Sequence, residues 1–253
     1  MTFLIMDPYI WLLATIFLAA ILYSSVGHGG ASGYIAMMAL FGLSAQEMKP
    51  AALVMNIFVA SVVLVKLYRA GHFNTQLFVP LALASVPMAY LGGAYTIDDP
   101  TYKYVVGAAL LLAAVRFLVE SGDRPATGTP TLWIALPVGV GIGFLAGLTG
   151  VGGGIFLSPI LLFLRWTNMR TNAAIAAAFV LSNSIAGLLG HVSVITHWPT
   201  GLSILVVAAL LGGLIGSELA TRRLAPVRLR NLLGLVLIIA GVKMFITAQF
   251  LIT

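Results

Sequence analysis

Two glycine clusters interrupt long apolar stretches of this chain and read like copies of each other. They are Ser24-Ser25-Val26-Gly27-His28-Gly29-Gly30 and, about 125 residues later, Thr149-Gly150-Val151-Gly152-Gly153-Gly154. Glycine is a poor helix former and leaves backbone N–H groups uncovered. Inside a bilayer such a break survives only when it is buried in protein or lines a watery cavity. Broken hydrophobic segments at matching positions in two halves point to a transporter's substrate site. The clusters therefore predict a small membrane carrier whose site is built from the two breaks.

Composition agrees with a membrane chain. Hydrophobic residues make up 60% of the sequence, charged residues only 8%, and mean hydropathy is +1.08, far from a soluble domain. Apolar runs recur at 8–26, 31–43, 51–68, 76–97, 102–119, 131–149, 153–166, 173–195, 200–220 and 227–250. Most approach the roughly 20 residues that cross the hydrocarbon core. The runs at 31–43 and 153–166 are too short, and each directly follows a glycine cluster. No β-barrel alternation appears, so the expected fold is all-α and polytopic, with membrane lipid as its surroundings.

The net charge of +6 is explained by its distribution rather than by nucleic-acid binding. Following the segments in turn, one side holds Lys66, Arg69, Arg116, Arg124, Arg165, Arg170, Arg222, Arg223, Arg228 and Arg230, and the other holds Lys49, Lys103 and Lys243. Ten against three predicts that the first side is cytoplasmic and that both termini face outward. No Lys or Arg precedes residue 49, so the first segment lacks the basic flank of a cleavable signal peptide and is expected to be retained.

The chain divides at a polar stretch rich in Pro and Gly. This gives a first membrane repeat over 1–120, a cytoplasmic linker over 121–130 and a second repeat over 131–253. Each half has five elements, with the glycine break between its first and second. Met48-Lys49-Pro50-Ala51-Ala52 resembles Met169-Arg170-Thr171-Asn172-Ala173-Ala174, which places Lys49 and Arg170 at equivalent positions. An odd number of elements per half makes the second copy start from the opposite side. The expected architecture is an inverted-topology repeat with glycine-broken, partly re-entrant helices.

Gly147-Leu148-Thr149-Gly150-Val151-Gly152-Gly153-Gly154 followed by Pro159, then Asn172-Ala173-Ala174 and Ser182-Asn183, resembles the sulfite exporter TauE/SafE family. The first half carries a more divergent copy, in which His28 stands where the second has Gly153. The resemblance implies a polytopic inner-membrane carrier of sulfur oxyanions or organosulfonates such as sulfite or sulfoacetate.

The breaks suit such a ligand. A helix that starts at a break presents unpaired N–H groups and about half a positive charge. Starts near Gly29-Gly30 and Gly153-Gly154 would converge on one anion at the midplane. Gly27, Gly29, Gly30, Gly152, Gly153 and Gly154 let the backbone approach it, and Ser24, Ser25 and Thr149 can add hydroxyl donors. His28 can bind the anion, couple transport to protons, or steady the loop. Asn56, Ser182 and Asn183 belong to helices that should adjoin the breaks. His191 lies nearer a membrane edge. Lys49 and Arg170 can draw anions in at each mouth or act as interfacial anchors. Gly139, Gly143 and Gly147, spaced at four, read as helix packing.

Enzyme chemistry finds little support. The chain has no cysteine and no paired carboxylates within its apolar runs, and its four histidines lack metal-ligand spacing. The glycine cluster lacks the Gly-Lys-Ser/Thr end of a nucleotide loop. No cofactor or metal is expected; homo-oligomerisation is left open. The reading is a secondary exporter working by alternating access. An anion channel or an importer shares the same site, and a membrane-embedded enzyme is the remaining alternative.

Overall fold

The structure is a computed structural model and describes residues 8–25, 27, 29–119, 125–195, 198–222 and 227–250. These residues form ten helices and no strand. In chain order they are α1 (Pro8–Ser25), α2 (Ala31–Leu40), α3 (Ala45–Arg69), α4 (Thr75–Ala94), α5 (Asp99–Val119), α6 (Leu132–Thr149), α7 (Gly154–Phe163), α8 (Met169–Val192), α9 (Leu202–Arg222) and α10 (Val227–Gln249). Each expected apolar run holds one helix. Five of them, α1, α3, α4, α6 and α8, are long and apolar enough to cross a membrane. His28, residues 121–124, Thr196, His197 and Arg223 lie outside the described residues.

Local chemistry sets the helix starts. At α3 the Ser44 N–H and hydroxyl both donate to the Glu47 carboxylate, at 3.0 and 2.8 Å. Asn74 and Asn168 cap α4 and α8 by accepting from the N–H groups of Leu77 and Thr171. Such caps satisfy amides that the first turn leaves unpaired.

Packing follows an exchanged pattern. α4 lies against α6 and α8, while α9 lies against α1 and α3; α3 packs on α8, and α5 on α10. Glycines allow the closest approaches. A Cβ at Gly139 would lie 2.8 Å from the Leu81 carbonyl, and one at Gly143 or Gly147 would strike the Ser85 or Ala89 carbonyl of α4. The expectation of a packing ridge at these three positions is met. On the other face of α4, Gly93 lies directly on the Gly187 backbone of α8.

The two broken segments are hairpins entering from opposite ends. Tyr9, in the first turn of α1, donates its hydroxyl to the Gly201 carbonyl, and Lys243 donates to the Leu40 carbonyl at the end of α2. Ser44, just beyond α2, and Thr200 line one cavity, so α1 begins and α2 finishes at the same end of the molecule. The second hairpin does the reverse. Thr127 and Gly128, just before α6, donate to the Arg165 carbonyl just after α7, at 3.0 and 2.9 Å. That end also carries the start of α8, where Ala173 and Ala174 pack with Leu67 at the far end of α3.

Candidate functional site

The hairpins bring both breaks to the middle of α8. A Cβ built on Gly29 would stand 2.9 Å from Val180 Cγ1, and one built on Gly152 would stand the same distance from that same atom. Gly154 lies against the other methyl of Val180. The expected convergence is present, and Val180 marks it.

Both short helices start on a left-handed glycine. Gly30 caps α2 with φ 89°, and Gly153 caps α7 with φ 83°. Only glycine takes this conformation without a Cβ clash. Neither has a side chain to cover the amides of the first turn, which is what an anion-receiving helix start requires. The caps correct the register read from the sequence. Gly30, not His28, corresponds to Gly153, and the first break (26–30) is one residue longer than the second (150–153).

The walls differ. At the second break, Asn56 Nδ2 donates to the Gly150 carbonyl and to Ser184 Oγ, both at 3.3 Å. Gly152 lies against the same pair: its Cβ would be 3.1 Å from Ser184 Oγ and 3.2 Å from Asn56 Nδ2. The Thr149 carbonyl accepts from Tyr102 at 2.9 Å, while Thr149 Oγ1 donates to Leu145 and accepts from the Val151 N–H. At the first break, Gly29 faces Val180 and Ala60, and Gly27 meets Ala173 and Leu67. Ser25 donates back to the Leu22 carbonyl.

Three of the expected polar residues keep free capacity. Ser24 Oγ, Asn56 Oδ1 and both amide atoms of Asn183 are fully buried without a hydrogen-bond partner. An unpaired buried polar atom is costly, and in a carrier it marks a place for solute or water. Ser182 behaves otherwise. It lies about 200° around α8 from Val180, and its hydroxyl returns to Phe179. The inward hydroxyl is Ser184, one turn beyond Val180, which sequence reasoning missed. Its spacing, four from Val180 and three from Gly187, was its only signal.

Lys49 and Arg170 are not equivalents. Arg170 is exposed, whereas Lys49 is 6% exposed. Lys49 packs on Gly150, and it is Ala173 that packs on Gly27 in the corresponding place. The Lys49 ammonium donates to the carbonyls of Gly93, Gly92 and Tyr95 at the end of α4, at 3.0, 3.4 and 3.5 Å. It also lines a cavity of about 550 Å³ shared with Glu47, Tyr95, Tyr102, His191 and Trp198. This vestibule opens at the end where α3 begins. Among the described residues, no group of His, Cys, Asp and Glu could hold a metal ion.

Comparisons with known proteins agree with this architecture. The family described as Sulfite exporter TauE/SafE matches residues 12–244. A probable membrane transporter protein of Sinorhizobium fredii, y4hK, is 35% identical over 90% of this chain and 94% of its own. Bacillus subtilis YjnA, also a probable membrane transporter protein, is 25% identical over 86% of this chain and 92% of its own. No solved structure matches. With the family covering nearly the whole chain and the broken-helix fold in place, this multi-pass membrane protein belongs to the TauE/SafE family of membrane transporters.

Proposed function

We propose that the chain is a secondary transporter for a small sulfur-containing anion, a sulfite-like oxyanion or an organosulfonate, held where the two breaks meet. One observation carries this reading: two glycine-capped helix starts, reaching in from opposite ends, converge on Val180 beside unpaired polar atoms of buried side chains. Two positive helix ends favour an anion, and the amides of glycine admit its oxygens closely.

The exchanged packing of the helices supports an inverted-topology repeat of 1–120 and 131–253 about the linker. Alternating access then follows from rocking one half against the other. The vestibule makes one entrance. Next to its lining residue Leu148, the Thr149–Gly150 backbone is held by Tyr102 and Asn56. By the charge count the vestibule is outward, both termini are outside, and the membrane is the cell inner membrane. Export is the favoured direction, because a negative-inside potential drives each anionic charge out by about 2.3 kcal/mol per 100 mV. This reading gives the chain no enzymatic step.

Counterflow in proteoliposomes with sulfite, sulfate, thiosulfate, sulfoacetate and taurine tests the proposal. Saturable exchange of at least one anionic member at carrier rates is the expected result. No exchange of any member would refute it, and unsaturable voltage-driven current would make the protein a channel.

A further inference from the structure

The vestibule is lined by two basic side chains from different helices. Lys49 is 6% exposed and His191 9% exposed. The imidazole lies against the Gly93 backbone, within electrostatic reach of the ammonium that bonds the same residue. Lys49 takes part in neither ion pair among the described residues. Only one of its three hydrogen bonds is short, so the ammonium can turn a donor toward a solute with little loss. His191 lines the cavity, and its buried Nδ1 has no hydrogen-bond partner. The nearest carboxylate on the rim, Glu47, is engaged by Ser44.

Register ties this pair to the breaks. Lys49 and Asn56 are seven residues apart on α3, and Ser184 and His191 are seven apart on α8. Seven residues return to the same helix face about 10 Å along the axis. The Asn56–Ser184 bond joins the inner rung, and Lys49 with His191 forms the outer one. Gly150 lies between the rungs, packed on the Lys49 backbone and accepting from Asn56.

We propose that Lys49 and His191 form an outer subsite for a singly charged oxyanion group, sulfonate-like in shape and charge, one step before the breaks. The proposal rests on the transport reading above. Lys49 supplies a positive charge, and His191 donates from Nδ1 once protonated. Tyr95, Ile195 and Trp198 at the rim receive the organic remainder. A bound anion stabilises the charged form of the imidazole, so binding takes up a proton. The other titratable groups lining the cavity are Glu47, Tyr95 and Tyr102. Tyr90 comes from α4, and α6 and α7, which also pack on α8, carry no titratable side chain. Of these side-chain types, imidazole is the one whose unperturbed titration lies closest to neutrality.

Calorimetric titration of the full chain in nanodiscs with methanesulfonate, whose charge is constant, tests this at pH 6 and pH 8 in buffers of different ionisation enthalpy. Wild type should bind severalfold tighter at pH 6 and take up protons. His191→Gln should bind more weakly at pH 6, with a shallower pH slope and less proton uptake. Lys49→Gln should weaken binding by about tenfold or more at both pH values. If it loses the fold through the end of α4, His191→Gln alone decides. Unchanged affinity, slope and proton count in His191→Gln overturn the subsite and leave the transport reading standing. So does absent methanesulfonate binding by wild-type protein that exchanges another sulfur anion. Wild type that neither binds nor exchanges any anion overturns the transport reading itself.

Discussion

The two helix breaks share a backbone and differ in their walls. Each ends a membrane helix, turns through left-handed glycines and starts a ten-residue helix on a glycine cap. Gly29 then meets Val180 and Ala60, whereas Gly152 meets Val180, Ser184 and Asn56. Gly27 and Gly29 of the first break are packed by hydrocarbon, and the second is braced by hydrogen bonds to its own carbonyls. The glycine backbone supplies positive helix ends at both breaks, which any anion would satisfy. Discrimination has to come from directed polar groups, and among the described residues the hydrogen-bonded pair Asn56 and Ser184 stands at the second break. There an unmatched solute leaves buried donors unpaired, the strongest source of selectivity available to a site.

This asymmetry can be broken by substitution. The largest effect is expected for Gly152→Val. A β-branched residue at φ 76° carries about 1–2 kcal/mol of left-handed strain, and its side chain would enter the space between Asn56 and Ser184. Exchange in proteoliposomes should fall by about 100-fold or more. Gly29→Ala should lose less than about tenfold, since its φ is not left-handed and its nearest neighbour is the end of a valine side chain.

Asn56→Leu comes next. It removes the donor shared by Gly150 and Ser184, together with the free Oδ1. Affinity for the transported anion should drop by about 10–100-fold, the range for a hydrogen bond to a charged partner. Ala60→Ser adds a hydroxyl to the wall of the first break and should change affinity by no more than about twofold, read by the same binding titration. If Ala60→Ser alters affinity as much as Asn56→Leu, the two walls are equivalent and the comparison fails.

The smallest effect concerns the end opposite the vestibule. Lys66 pairs with Glu218 at 3.1 Å and also donates to the Leu214 carbonyl, tying α3 to α9. The pair is partly exposed, so Lys66→Met should cost no more than about 1 kcal/mol, a small shift in a thermal melt. Its effect on which end stands open is sharper: accessibility of cysteines placed in the vestibule should decrease as the opposite end loosens.

Much of the fold was legible because apolar runs and glycine clusters are physical necessities in a bilayer. All ten elements, both breaks and the packing role of Gly139, Gly143 and Gly147 follow from them. The register of the first break was not legible. A run of adjacent glycines offers several cap positions, and Gly30 is selected by the neighbouring Tyr34 ring, against which its backbone lies. Ser182 and Ser184 are equally polar and two residues apart. On a helix apolar all round, only the neighbours decide which faces inward. Lys49 read as an interfacial residue because the α4 carbonyls that receive it lie more than forty residues away. His28 falls outside the described residues.

The central claim, that the anion sits where the two breaks meet and is gripped by the polar wall of the second, is tested most directly by substrate protection. The chain contains no cysteine, so Ser184→Cys and Ala60→Cys each give a single probe at matched places beside the two breaks. Modification by neutral N-ethylmaleimide is timed with and without a saturating amount of the sulfonate that exchanges best. Slower modification at position 184, with the rate at position 60 unchanged, is the predicted result. Protection at position 60 alone, or at neither position, would contradict the account.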